Sequence, residues 1–274
     1  MGDNEWNWDP TLYEGSASYY SAGRVDYPVA IADTLAQRLG LDGSGRLLDV
    51  GCGPGSLTLL LAKHFADVVG VDADQGMLDE AARSGAANAR WVRMLAEELP
   101  GELGMFRMVT FAQSFHWFDR PRVARTVRGM LEPGGTCVHV HATTHRGVED
   151  ETGLAHPRPP YPAITELVRS YLGSDVRAGG SSQRPVIVEG EETGIYRGAG
   201  FAGPERFEIP RRLITRTADE VVAAIFSLSG SAPHLFGTRR AEFEADLRAL
   251  LHATAPDGLF SEWMREIAVD IWRP

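Results

Sequence analysis

The stretch Leu47-Leu48-Asp49-Val50-Gly51-Cys52-Gly53-Pro54-Gly55 constrains this chain more than any other. An apolar run from Arg46 to Val50 breaks into glycines at alternate positions, and a helical period starts near Ser56. Glycines in that place allow a tight turn and let a ligand approach the backbone closely, so the stretch reads as a strand, a binding loop and a helix. Leu57, Leu60, Leu61 and Phe65 then recur at i, i+3, i+4 and i+8, which is one buried helical stripe. A second apolar run, Asp67 to Asp72, follows it. Parallel neighbouring strands need a crossover of this kind.

The same alternation continues through Ala89 to Met94, Met108 to Ala112 and Thr136 to Ala142, the pattern of a parallel sheet flanked by helices. Ahead of it, Tyr27-Pro28 opens a helix with proline in its first turn and Ile31, Leu35 and Leu39 facing the sheet. An aromatic arm, Trp6, Trp8, Tyr13, Tyr19 and Tyr20, precedes that helix. After the fifth strand, residues 143–203 are rich in Gly, Pro, Ser and charge and too long for an ordinary connection. One helix stands out there, with Ile164, Leu167, Val168, Tyr171 and Leu172 on one face, and the segment reads as a cap over the substrate. Beyond it come a strand near Glu205 to Ile209 and a helix opened by the capping pattern Thr217-Ala218-Asp219-Glu220. A helix with Phe243, Leu247, Leu250 and Leu251 on one face and a last strand, Glu266 to Trp272, close the chain. The expected organisation is an aromatic lid (1–27), a sheet core (28–142), a cap insertion (143–203) and a C-terminal part that completes the sheet (204–274).

A net charge of −10 opposes the nucleic-acid backbone, and no basic stripe offsets it. No apolar run reaches the ~18 residues of a membrane span, and the N-terminus lacks a secretion signal. Cys52 and Cys137 lie apart in apolar surroundings and read as reduced thiols of a cytoplasmic protein. The expected partner is a small molecule, and the chain is expected to act as a monomer or homodimer.

The glycine loop does not fit the dinucleotide fingerprint G-x-G-x-x-G/A, since Ser56 or Thr58 stands where the third small residue belongs. The next strand nevertheless ends in Asp72, suited to accept from both hydroxyls of a ribose. Together they point to a nucleoside-containing cofactor at the switch point of a doubly wound sheet.

Here the chain resembles the class I S-adenosylmethionine-dependent methyltransferases. "LLDVGCGPG" matches their first motif. Val69-Gly70-Val71-Asp72, Ala96-Glu97-Glu98-Leu99-Pro100, "FAQSFHWFD" from Phe111 and Leu131-Glu132-Pro133-Gly134-Gly135 follow in order, covering residues 13–142. It looks closest to a small-molecule branch with an A-Q-x-x-H-W-F fourth motif. The resemblance implies an α/β fold, a Rossmann-like seven-stranded sheet with a cap after strand 5, and S-adenosyl-L-methionine as cofactor, left as S-adenosyl-L-homocysteine. Carried over by residue, Asp49 opens the loop, Gly51 and Gly53 line the methionine portion, Asp72 holds the ribose and Met77 packs on adenine. Ala96 meets adenine through its backbone, and Gln113 approaches the methionine end. Arg24, beside Tyr20, pairs with the cofactor carboxylate under the aromatic lid. Many relatives carry an Asp where this chain has Leu95, so Glu97 or the backbone must receive the adenine amino group.

His116 follows the fourth strand and is either a catalytic base, since imidazole titrates near neutrality, or a packed ring that orients the loop. Tyr13, Trp117, His141 and His145 are candidates for substrate contact. His139 and His141 share a strand face, which invites a zinc reading, but no Cys or nearby carboxylate completes the set and no metal is expected. Acidic runs at Glu149-Asp150-Glu151 and at Glu189, Glu191 and Glu192 are either solvated faces, as most charge runs are, or a field that attracts a cationic acceptor. These features favour N-methylation of an aminosugar or aminoglycoside in specialised, antibiotic-like metabolism. O- or C-methylation of an aromatic or carboxylate acceptor is the alternative, and a non-catalytic cofactor-binding scaffold a further one.

Overall fold

A computed structural model describes residues 8–173 and 190–274, together with the backbone of 177–178 and 182–183. Trp6 and Glu189 lie outside the described residues. Strands β1 (Arg46–Val50), β2 (Asp67–Asp72), β3 (Ala89–Arg93), β4 (Phe106–Ala112) and β5 (Leu131–His141) run parallel. β6 (Arg177–Ala178) and β7 (Ser182–Gln183) form a small antiparallel pair. β8 (Ala202–Ile209) and β11 (Ile267–Arg273) complete a seven-stranded sheet in the order β3-β2-β1-β4-β5-β11-β8, with β11 antiparallel to both its neighbours. The doubly wound, mostly parallel sheet expected from the alternation is thus present.

The side-chain period of two divides the apolar strand residues between two faces. Leu48, Val50, Val109 and Phe111 join one core with Val123, Ala124 and Val127 of α5 (Arg120–Gly129) and Tyr196 of α7 (Glu191–Gly198). Leu47, Val68 and Met108 join the other with Ile31 and Leu35 of α2 (Val29–Leu39) and Leu57 and Leu61 of α3 (Ser56–Leu61). Pro28 is the extended N-cap of α2 rather than a first-turn residue, because it is the residue at which the chain leaves the arm. Strand order reverses between β1 and β4, and their diverging carboxyl ends open the crevice where such sheets bind ligands.

A third core belongs to a helical module beside the sheet. It joins Ile164 of α6 (Tyr161–Leu172), Val221 and Phe226 of α8 (Ala218–Phe226), and Phe243 and Leu247 of α9 (Arg240–Thr254). The capping box at the start of α8 forms: Glu220 N donates to Thr217 Oγ1 (3.2 Å) and Thr217 N to the Glu220 carboxylate (2.7 Å). α1 (Ala17–Gly23) lies on α8 so closely that a Cβ on Gly23 would sit 2.2 Å from Ala224 N. The N-terminal arm is thereby fastened to the C-terminal module. The two helices of 143–203 go to different places, α6 to this module and α7 to the sheet face carried by α5.

A two-stranded antiparallel sheet of β9 (Arg212–Thr217) and β10 (Leu259–Met264), strands separated in the chain by α8 and α9, is absent from the sequence reading. Its buried positions carry charge, which hides the apolar alternation: Arg216 and Glu262, 4% and 0% exposed, pair at 3.1 Å. Tyr161 also donates to Glu262 (2.9 Å), and Arg216 donates to the carbonyl oxygens of His145 (3.0 Å), Glu220 (2.9 Å) and Gly23. One buried pair therefore joins the β9–β10 sheet to Tyr161, His145 and the N-terminal arm at Gly23.

Candidate active site

A cleft of about 640 Å³ opens at the carboxyl ends of β1, β2 and β4. It is lined by every residue assigned to the cofactor from the sequence: Tyr20, Arg24, Asp49, Gly51, Gly53, Asp72, Met77, Ala96, Glu97 and Gln113. The loop after β1 explains the glycines. Gly51 and Cys52 both donate to Val71 O (2.8 and 3.0 Å), and Gly51 has φ +68°. A Cβ there would meet Ser114 Cβ at 2.4 Å, so β1 and the turn after β4 touch through a missing side chain. Gly53 also has a left-handed φ, +54°, but nothing lies within 4 Å of where its Cβ would be.

Asp72 closes the loop from β2, accepting from Gly53 N (2.8 Å) and Asp74 N (2.9 Å). Burial raises its carboxyl to about 6 against these hydrogen bonds. Asp49, 1% exposed, accepts from Thr58 Oγ1 (2.5 Å) and Thr110 Oγ1 (2.7 Å), and burial raises it too. Both its oxygens are engaged inside the protein, so Asp49 ties β1 to α3 and β4 beneath the loop. Burial raises the Cys52 thiol well above its ordinary value, which disfavours the nucleophilic thiolate.

Further along the cleft, Glu97 accepts from Asp119 N through Oε1 (2.7 Å), while its Oε2 is buried with no hydrogen-bond partner among the described residues. Burial raises the Glu97 carboxyl. A buried acceptor without a donor costs free energy unless a ligand supplies one. Met77, 3% exposed, lies near the N-terminus of α4 (Gln75–Arg83), where Asp74 caps by accepting from Met77 N (3.1 Å). Gln113 is the one non-glycine with positive φ (+59°) among the described residues, and it stands where the cleft meets a second cavity. Strain of that kind gathers at functional sites.

The arm forms the near wall. Arg24 lies 4.4 Å over the Tyr20 ring and donates to Ser227 Oγ (2.8 Å) and Ser227 O (3.0 Å), with His145 Nδ1 3.5 Å away. Its guanidinium is thus anchored at the cleft by α8's C-terminus, a partner with no sequence signal. Tyr13 meets Tyr20 and Trp117 edge-on, with ring centres 6.4 and 6.2 Å apart.

The second cavity, about 920 Å³, adjoins the first through Tyr13, Tyr20, Arg24, Gln113 and Trp117. His116, His141 and His145 line it, so all the substrate-side candidates are brought together. His116 sits on the turn Phe115–Trp117; its neighbours Phe115 and Trp117 are buried while it remains half-buried. Of the acidic runs, Glu192 alone lines this cavity among the described residues; Asp150 pairs with Arg211 (2.6 Å) and Glu191 with Arg120 (2.9 Å). The far wall is formed by His139 of β5, which the sequence pairs with His141, and by Asp270 of β11 and Arg206 of β8, which the sequence does not single out.

Residues 47–135 match the model of a family described as methyltransferase domain. An uncharacterized methyltransferase of Mycobacterium tuberculosis is 38% identical over 130 residues, 46% of this chain and 51% of that protein. The trans-aconitate 2-methyltransferase of Pseudomonas paraeruginosa is 33% identical over 149 residues, 52% of this chain and 49% of that protein. The chain spans about half the length of the curated relatives it matches. Among solved structures, a methyltransferase of Geobacter sulfurreducens in complex with S-adenosyl-L-homocysteine superimposes with a TM-score of 0.52 at 13% identity, over 97% of this chain and 98% of that one. The cyclase SpnF gives 0.52 at 19% identity, over 96% and 94%. At such identities these two share the fold alone.

Proposed function

We propose that the chain is an S-adenosylmethionine-dependent methyltransferase acting on a small molecule, with N-methylation of an amine-bearing acceptor such as an aminosugar or aminoglycoside as its reaction. The observation that carries the cofactor assignment is the unpartnered Glu97 Oε2 in the same cleft as Asp72. The two carboxylates suit the two donor groups of an adenosine, its amino group and its ribose hydroxyls. Arg24 suits a terminal carboxylate at the other end, and the open space over Gly53 leaves room for the chain between them. The cofactor supplies a methyl group on a sulfonium centre, which a nucleophile displaces in line.

The protein's share is alignment and exclusion of water. Tyr13, Tyr20 and Trp117 separate the cleft from the second cavity and can close over the transfer path. His116, on the acceptor side, is placed to take a proton from a protonated amine or a hydroxyl. The net charge favours a cationic acceptor. One observation favours the alternative of O-methylation at a carboxylate: Arg24, Arg206 and Arg265 all line the acceptor cavity. A cytoplasmic setting in specialised metabolism fits the two free, buried thiols Cys52 and Cys137. Among the described residues no single helix is long and apolar enough to cross a membrane.

Release of S-adenosylhomocysteine, measured with a panel of amines, phenols and carboxylates, tests this function. Turnover with amines in preference to carboxylates is expected. Preference for carboxylates selects the O-methylation alternative, and no turnover with any acceptor despite cofactor binding leaves only a scaffold.

A further inference from the structure

We propose that His139, His141 and Glu192 form a binding site for one divalent transition ion of the zinc class, in the wall of the acceptor cavity. The sequence offers two histidines on one strand face and no third ligand. Folding supplies it, because α7 packs beside β5 and brings Glu192 to the pair. One ligand atom from each of the three side chains lies within 4.8 Å of the others. Two imidazoles and one carboxylate make a donor set that suits zinc and its neighbours and leaves coordination positions for water or substrate.

The surroundings support both histidines as ligands. His141 directs Nδ1 toward Glu192 Oε2 (3.9 Å) and Nε2 onto Asp270 Oδ2 (3.1 Å). A carboxylate on the far nitrogen fixes ring orientation and tautomer and makes the near nitrogen a better donor. Asp270 is itself held by Arg206 through two hydrogen bonds, 2.6 and 2.7 Å. On His139, Nδ1 lies 3.4 Å from the Tyr196 hydroxyl, which leaves Nε2 as the metal-facing atom. His139 is 5% exposed and so is held in place by its surroundings. The two rings stack with centres 4.1 Å apart, which brings both imidazoles to one point of the cavity wall.

The bound ion has a role only if the methyl-transfer reading holds: its open positions face the acceptor cavity and take an oxygen or nitrogen donor of the acceptor. The ion site itself does not depend on that reading. The test uses the full, untagged chain stripped with chelator. Zinc is titrated calorimetrically, and cobalt(II) is added to give ligand-field absorption in the visible. One ion per chain is expected, with cobalt bands of low coordination number. Glu192→Gln, at a half-buried position that leaves the core intact, is expected to weaken zinc at least about 100-fold, and Asp270→Asn about 10- to 100-fold. The metal-free melting temperature of Glu192→Gln should equal that of the parent. Failure of the parent chain to bind zinc, or undiminished binding by Glu192→Gln, overturns the site. Binding of S-adenosylhomocysteine, measured on the same stripped protein, separates the two claims: its loss alone refutes the methyltransferase reading and leaves the ion site standing.

Discussion

Replacing Gly53 and Gly51 separately by alanine distinguishes a glycine kept for a ligand from one kept for the fold. Both have left-handed φ, and alanine in that region costs about 1–2 kcal/mol. At Gly53 that is the whole cost, because the new methyl meets nothing within 4 Å and stands in the cleft. At Gly51 the methyl would lie 2.4 Å from Ser114 Cβ and 2.9 Å from Phe118, and overpacking adds about 1–3 kcal/mol. At about 2–4 °C per kcal/mol, the melting temperature falls by about 2–8 °C for Gly53→Ala and about 4–20 °C for Gly51→Ala. S-Adenosylhomocysteine affinity moves the other way: Gly53→Ala loses at least about tenfold, or 1.4 kcal/mol, because the methyl takes ligand space. Differential scanning fluorimetry and titration calorimetry on the two variants read both quantities. Parental affinity in Gly53→Ala refutes the placement of the ligand over Gly53.

Asp72 gives a pH test with two signs. Its carboxyl is raised by burial from 3.8 to about 6, so the stability it contributes to the ligand-free protein is full below pH 4 and lost as pH rises through about 6. Ligand affinity runs oppositely, since the ionised carboxylate accepts from the ribose. Below pH 6 the affinity for S-adenosylhomocysteine should fall by up to about tenfold per unit, and a flat profile from pH 8 to 5 contradicts the role. Arg216→Met leaves Glu262 buried without its counter-charge and should cost about 3–5 kcal/mol in denaturant unfolding; the double change with Glu262→Leu should recover much of it. His116→Ala should lower turnover by about 100- to 10,000-fold while leaving cofactor affinity near the parental value, and equal losses in both would make His116 a packing residue.

The cleft at the ends of β1, β2 and β4 is legible in the sequence because most of its lining is local. Gly51, Gly53, Asp72, Ala96 and Gln113 sit at or just after strand ends, where the switch from a period of two to a helical period marks them. The rest of the candidate site is assembled from afar. Arg24 is anchored by Ser227, His141 by Asp270, and Glu192 arrives on a helix from another segment. No spacing within the chain announces such meetings. The β9–β10 sheet escaped for a different reason: Arg216 and Glu262 put charge at its buried positions, and only pairing in three dimensions makes that burial tolerable. The charge argument from composition also narrows once neighbours are known, since Asp150 and Glu191 are engaged by arginines and, of the two acidic runs, Glu192 alone among the described residues reaches the cavity.

Calorimetric titration of the unmodified chain with S-adenosylhomocysteine, beside NAD, tests the central claim most directly. A cleft with an unpartnered Glu97 oxygen, Asp72 and a loop that departs from the dinucleotide fingerprint predicts one saturable site for S-adenosylhomocysteine and none for NAD. Absence of S-adenosylhomocysteine binding, or tighter binding of NAD, would contradict it.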